Sequence, residues 1–308
     1  KIGPRPISYT DIMGNNVFSN VNSFVSSLTK VLSNRDFSLE GILQSVLGFN
    51  GLFSTSGVGK YLKANLPCDK FADLAAELYI VTTELDNPNR IIMAPKSLDN
   101  PSLPCDFETD VSIHEAAVGS MSLPFIYGPH KMNIKGKEKY IFDGEVRHTL
   151  SSLLAKDAGA DLIITSYTHQ PYKFNPEYGS LIKYGLPLIL IQTIYQVIES
   201  KIVESKHKHE TKNMVYHEVK DFFTNKGLPK DAMNELLEIL EKKLNFNHEV
   251  EYIYISPEET DSRMFFENHF NLSPKSMGKI LRSGFKSCYH VLSNYKFMFD
   301  EVEVELIS

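Results

Sequence analysis

Tryptophan is missing from the 308 residues, and cysteine occurs three times, at Cys68, Cys105 and Cys288. The three are far apart and form no Cys-x-x-Cys pair, so neither a zinc site nor a disulfide framework is indicated. A reducing compartment is the expectation. No apolar run approaches the ~18 residues of a membrane span; the longest, around Leu186–Ile191, is broken by Pro187. There is no internal repeat, no low-complexity tract and no basic stripe interleaved with aromatics. With a formal net charge of −6, nothing points to nucleic acid as a partner. An initiator methionine is lacking too. Lys1-Ile-Gly-Pro-Arg-Pro6 reads as neither a signal peptide nor a natural start, so a processed or truncated chain is expected.

What is present is an ordinary globular composition, 42% apolar and 23% charged, enough for a sizeable core. Residues 11–50 read as helices: Val17, Phe18, Val21, Phe24, Val25, Leu28, Val31 and Leu32 recur at three- and four-residue steps. From Phe71 the character changes. Glu77-Leu-Tyr-Ile-Val-Thr-Thr83 is a β-rich run, buried on both faces if it lies in a parallel sheet, and Arg90-Ile-Ile-Met93 can pair beside it across the turn Asn87-Pro88-Asn89. Ser112 to Ser120 is helical. After Asp143 a short helix, the turn Ala158-Gly159 and the strand Leu162–Ser166 complete a β-α-β pattern, whose crossover is expected to be right-handed.

Residues 176–206 read as a long helix, followed by a charged, His-containing linker from Lys206 to Lys212 and two more helices around Gly227-Leu-Pro229. Glu251–Ser256 is the last confident core strand, and helices span Ser276 to Tyr295, with Gly278 and Gly284 spaced for close packing. The tail from Val302 alternates like an edge strand. Strands alternating with helices argue for a layered α/β domain.

The chain is organised around Lys139-Tyr-Ile-Phe-Asp143-Gly144-Glu145-Val146-Arg147. A carboxylate at the C-terminal end of a strand, just before a helix, sits where open α/β sheets place their ligands. Asp-Gly is equally a common hairpin turn. From the stretch alone, both readings stand.

The pieces in order resemble the patatin-like phospholipases, the lipid acyl hydrolases. Gly51-Leu-Phe-Ser-Thr-Ser followed by Val58-Gly-Lys-Tyr-Leu62 is similar to the family's glycine-leucine-phenylalanine entry into a helix. Leu78–Asp86 resembles its strand ending in an Ala-Thr-Asp-Leu type sequence, and Ile113–Pro124 its helix and proline turn. Asp143-Gly144 falls where the family carries Asp-Gly-Gly or Asp-Gly-Ala. Gly159–Thr165, Tyr252–Pro257 and Met277-Gly278 follow in family order, so the resemblance runs from about Gly51 to about Tyr295.

That resemblance implies a patatin-like layered α/β fold. A central, mostly parallel sheet would be flanked by helices, with a helical cap at the N-terminal end. The expected division is a helical segment over residues 1–50, a core carrying the Asp-Gly motif over 51–175, and a helical C-terminal part over 176–308 with the last core strand at 250–256. It also implies a lipid acyl hydrolase of phospholipase A type, using a Ser-Asp dyad with Asp143 as proton acceptor and Gly144 as motif glycine. The expected substrate is a phospholipid or other lipid ester at a membrane surface. No cofactor or metal is implied, and the expected location is cytoplasmic or peripheral to a membrane.

The departures are informative. The family needs a Gly-x-Ser-x-Gly elbow and an upstream glycine-rich oxyanion loop. Among the 17 glycines none has Ser two residues on and Gly four residues on. The expectation is a domain that begins just after its nucleophile, with its own N-terminal fragment as a possible partner. Lacking its first strands, the sheet would expose an unpaired edge, and the 308 residues alone are expected to fold poorly. The alternative is a catalytically dead patatin-fold module that binds lipid or a protein.

Three serines were weighed as replacement nucleophiles. Ser56 reads as a helix N-cap, Ser120 and Ser122 as hydroxyls bonded to local backbone. Glu145, where the family has a small residue, either raises the pKa of Asp143 by like-charge repulsion or points to solvent. His207, His209 and His217 read as solvated surface, and His114-Glu115 lacks the second His of a zincin. His148 stands close behind Asp143. Lys131, Lys135, Lys137 and Lys139 could meet anionic headgroups or line a solvated hairpin.

Overall fold

The computed structural model describes residues 54–124, 126–147, 149–168, 170–258, 261–266 and 273–295. The expected helices of residues 11–50, the reading of His148 and the tail strand from Val302 lie outside them. The chain divides into two compact units, residues 1–159 and 160–308.

The first unit is built on a five-stranded sheet in the order β3-β2-β1-β5-β4, where β1 is Ile80–Glu84, β2 Arg90–Met93, β3 Asp106–Glu108, β4 His130–Ile134 and β5 Lys137–Asp143. β-Branched residues fill β1 and β2, which suits a pleated surface covered on both sides. Ile91, Ile92 and Met93 are completely buried. Each such side chain contributes roughly 1.5–3 kcal/mol of transfer free energy.

Helices flank the sheet. On one face α2 (Ile113–Ser120) brings Ile113 and Ala116 against Ile91, Met93 and Ile141. On the other, Leu154 of α3 (Ser152–Asp157) packs with Ile92 and Ala94. The first helix, α1 (Ser56–Asn65), meets α2 where Gly59 passes under Val118.

The layered α/β architecture is therefore present. Its parallel component among the described residues is β2–β3, and in the second unit β6–β7. The pairs β1–β2, β1–β5 and β4–β5 are antiparallel, so the mostly parallel arrangement holds for only part of the sheets. For β1–β2 and β4–β5 the reason is loop length: short turns can close hairpins, whereas a parallel pair needs a crossover of a dozen or more residues. At the β4–β5 turn Lys135 and Gly136 both take positive φ, 50° and 77°, the backbone that two-residue hairpins require. Met132 and Ile134 join the core, and Lys135 pairs at 2.9 Å with Glu108 of β3, on the opposite edge.

In the second unit β6 (Leu162–Ser166) pairs with β7 (Glu251–Ile255). β6 does not join the sheet of β5 among the described residues, so the expected β-α-β crossover is not formed there.

The Lys206–Lys212 linker is also corrected, because α4 runs unbroken from Leu186 to Lys226, 41 residues. Ile198 and Ile202 before that stretch and Tyr216 after it are buried on the helix. Lys208 pairs with Glu204 one turn back at 2.6 Å, so charge there supports the helix instead of ending it. Gly227, at φ 63°, stops it. α5 (Lys230–Leu244) then packs back through Leu237 against Tyr216 and Phe246. The short α6 (Ser262–Phe266) adds Phe265 to an aromatic cluster with Tyr172 and Tyr195, and α7 (Pro274–Ser293) follows.

Candidate active site around Asp143

Asp143 is the last residue of β5 and the N-cap of a short 3₁₀ turn over Gly144–Val146. The strand-end reading holds, and the Asp-Gly hairpin does not form. Three contacts fix the turn. The Asp143 N–H donates to the Ser122 carbonyl at 3.1 Å, tying the end of β5 to the segment after α2. Its carboxylate Oδ1 accepts from the Glu145 N–H at 2.9 Å. Gly144 lies against β1 so closely that a Cβ would stand 2.6 Å from the Val81 carbonyl oxygen. Glycine is required there by space, the close backbone approach for which a missing side chain is used.

The Asp143 carboxyl is half-buried. Burial pushes its pKa above the ordinary carboxylate value of 3.8, and the Glu145 N–H bond pulls the other way with the smaller effect. Like-charge repulsion from the Glu145 side chain is not among the causes. Nor does that side chain simply face water. Its two oxygens accept from the Leu150 N–H at 3.1 and 3.3 Å. Leu150 and Ser151 both have positive φ, 64° and 45°, a conformation costing on the order of 1–3 kcal/mol at each non-glycine residue. Glu145 clasps that turn in front of α3. Nothing in the sequence signals it, since neither Leu150 nor Ser151 is a residue type that favours left-handed backbone.

The serines weighed as nucleophiles are engaged elsewhere. Ser120 Oγ donates to the Val81 carbonyl at 2.9 Å. Ser122 Oγ, fully buried, donates to the Val118 carbonyl at 2.9 Å and lies 3.4 Å from Thr55 Oγ1. Ser122 matches the expectation of a hydroxyl spent on local backbone, whereas Ser120 reaches across to β1, 39 residues away in sequence. Ser56 is not an N-cap but the first residue of α1, behind Thr55; its N–H donates to Ser54 Oγ at 3.2 Å.

His114 Nδ1 lies 2.6 Å from Asp69 Oδ2, and its N–H donates to the other oxygen of that carboxylate at 2.9 Å. Asp69 thereby anchors the start of α2. The surface reading of His209 is corrected, for it is half-buried against the rings of Tyr252 and Phe246, at 4.3 and 5.7 Å. Three of the four hairpin lysines are in ion pairs: Lys131 with Glu138, Lys135 with Glu108 and Lys139 with Glu84. That leaves the hairpin little unpaired charge for headgroups.

A layered sheet flanked by helices, with a half-buried carboxylate and a sterically required glycine at one strand end, places the first unit in the α/β class. The class narrows to a family. Residues 9–153 match the family described as patatin-like phospholipase, and Asp143 and Gly144 lie within the matched stretch. The match supports the lipid acyl hydrolase family and, with it, hydrolase chemistry in lipid metabolism. A search of curated proteins returned no match. Among the described residues no helix is long and apolar enough to cross a membrane.

Proposed function

We propose that the protein is a lipid acyl hydrolase, cleaving carboxylic esters of phospholipids by a Ser-Asp dyad in which Asp143 is the base. The observation that carries this reading is the half-buried Asp143 carboxyl at the strand end of a patatin-like domain, raised in pKa by burial. An unperturbed Asp, near 3.9, is a feeble base; a raised pKa strengthens it as a proton acceptor. In the proposed reaction a Ser hydroxyl, upstream of these 308 residues, attacks the ester carbonyl while Asp143 takes its proton. That proton passes to the leaving alcohol. Water, deprotonated by the same carboxylate, then releases the fatty acid. Gly144 lets the backbone turn tightly enough to hold the carboxylate beside β1.

The test is Asp143→Asn in the protein with its natural N-terminal sequence, assayed on a soluble short-chain ester and on phospholipid. A loss of kcat of about 10²-fold or more is expected with the circular dichroism unchanged. An Asn variant as active as the parent sinks the dyad.

A second reading has its own observation: no Gly-x-Ser-x-Gly occurs in the sequence given. On that reading the domain is a non-catalytic module that binds lipid or a protein partner. Ester hydrolysis by the parent protein, abolished by Asp143→Asn, excludes it.

A further inference from the structure

Helix α7 is built the wrong way round for a surface helix. Ser276 is buried, and Ile280, Ser283, Ser287, Cys288 and Val291 are half-buried, so serines make up a large part of the inward face. Ser283 Oγ donates to Asp261 across that face at 3.4 Å. The large apolar residues point outward. Leu281, Phe285 and Tyr289 are 74%, 70% and 67% exposed, and Met277 is 47% exposed. At four-residue steps they drift by about 40° each and form one slightly oblique stripe, spanning roughly 18 Å at 1.5 Å per residue. Phe285 and Tyr289 stack along it with ring centroids 6.4 Å apart. An ordinary surface helix presents the opposite arrangement, and a contiguous exposed apolar face marks an interaction site.

Charge selects the occupant. Lys275, Lys279, Arg282 and Lys286 form a second stripe alongside the first, and the helix contains no Asp or Glu, in a protein whose formal net charge is −6. None of the four makes an ion pair among the described residues. Lys279, Arg282 and Lys286 also line an open cleft of about 620 Å³, faced by Glu177, Glu258 and Asp261. A second copy of the helix would offer these cations no anion. An anionic lipid surface offers phosphates at the level of the basic stripe and acyl chains below it, the environment of an interfacial helix.

We propose that α7 docks the protein on anionic phospholipid bilayers, with Met277, Leu281, Phe285 and Tyr289 entering the headgroup–acyl boundary and Lys275, Lys279, Arg282 and Lys286 meeting lipid phosphates. The inference rests on the proposed lipid reading only for its choice of a bilayer, and not on the dyad.

The experiment is co-sedimentation of the full chain with vesicles of phosphatidylcholine alone and of phosphatidylcholine mixed with phosphatidylserine. Salt-sensitive binding to the mixed vesicles is expected, with little binding to phosphatidylcholine alone. Leu281→Ser with Phe285→Ser should lower that binding at least tenfold while leaving the melting temperature and soluble-ester hydrolysis unchanged. Each of Lys279→Ser and Arg282→Ser should weaken it about fivefold.

No binding by the parent chain, or undiminished binding by the double variant, overturns the proposal. So does concentration-dependent self-association of the parent that the double variant abolishes, which would make the stripe an interface between copies. Failure of soluble-ester hydrolysis bears on the dyad and leaves the vesicle result standing.

Discussion

Gly144 and Gly284 are the same residue in two opposite situations. At Gly144 an added methyl would strike the Val81 carbonyl oxygen at 2.6 Å, while at Gly284, mid-way along α7, it would meet nothing within 4 Å. The contrast extends to their surroundings. Around Asp143 the backbone is held from three sides, by Ser122, Val81 and Glu145. Along α7 one flank is bare and apolar. The first region is held in place by its neighbours, and the second has a face that no described residue covers. The spacing of Gly278 and Gly284 predicts close packing; the structure instead leaves open space at both.

The largest expected effect would break the first half of this comparison. Gly144→Ala should destabilise by about 1–3 kcal/mol, the cost of forcing volume into a packed site, because the obstacle is backbone and cannot rotate away. Denaturant unfolding measures it; a change below the error of that method would show that the turn can move off β1.

The opposite sign is expected on α7. Gly284→Ala should stabilise by roughly 0.5–1 kcal/mol, since a mid-helix glycine gives up more chain entropy than alanine and no neighbour opposes the methyl. A loss of stability there would mean the outward face is already covered.

The smallest effect sharpens the electrostatics of Asp143, where burial and the Glu145 N–H bond act against each other. Its folded pKa is raised, so between the ordinary 3.8 and the folded value the native state binds more protons than the unfolded chain. Stability then falls as pH rises through that window, and the cost is fully present above the folded pKa. Asp143→Asn should therefore melt higher than the parent at neutral pH, and the gain should close as pH falls toward 3.8. A gain that grows on acidification would mean the pKa is depressed instead. On the proposed dyad, the same direction moves the acid limb of kcat/KM above the ordinary 3.8.

Much of the first unit was legible without coordinates. β1 and β2 are written in β-branched runs joined at Asn-Pro-Asn, and the end of β5 in Tyr-Ile-Phe before Asp-Gly; in the second unit Gly227-Leu-Pro229 likewise marks the stop of α4, because turns and strand ends depend on residues within a few positions of one another. Lys206–Lys212 misled for the same reason: its charges resemble a linker locally, whereas the buried Ile202 and Tyr216 on either side, with the Lys208–Glu204 pair, support the helix.

The sequence by itself determined the α/β class, through local periodicity and turn chemistry, and the candidacy of Asp143 and Gly144, through an order of motifs that resembles the patatin family. Tertiary structure alone decided three things. It decided which glycine has no room for a methyl, and that Glu145 clasps the Leu150–Ser151 turn instead of repelling Asp143. It also decided that α7 turns its serines inward and its aromatics outward. Amphipathic spacing reveals that a helix has two faces, but only the neighbours it packs against determine which face is buried.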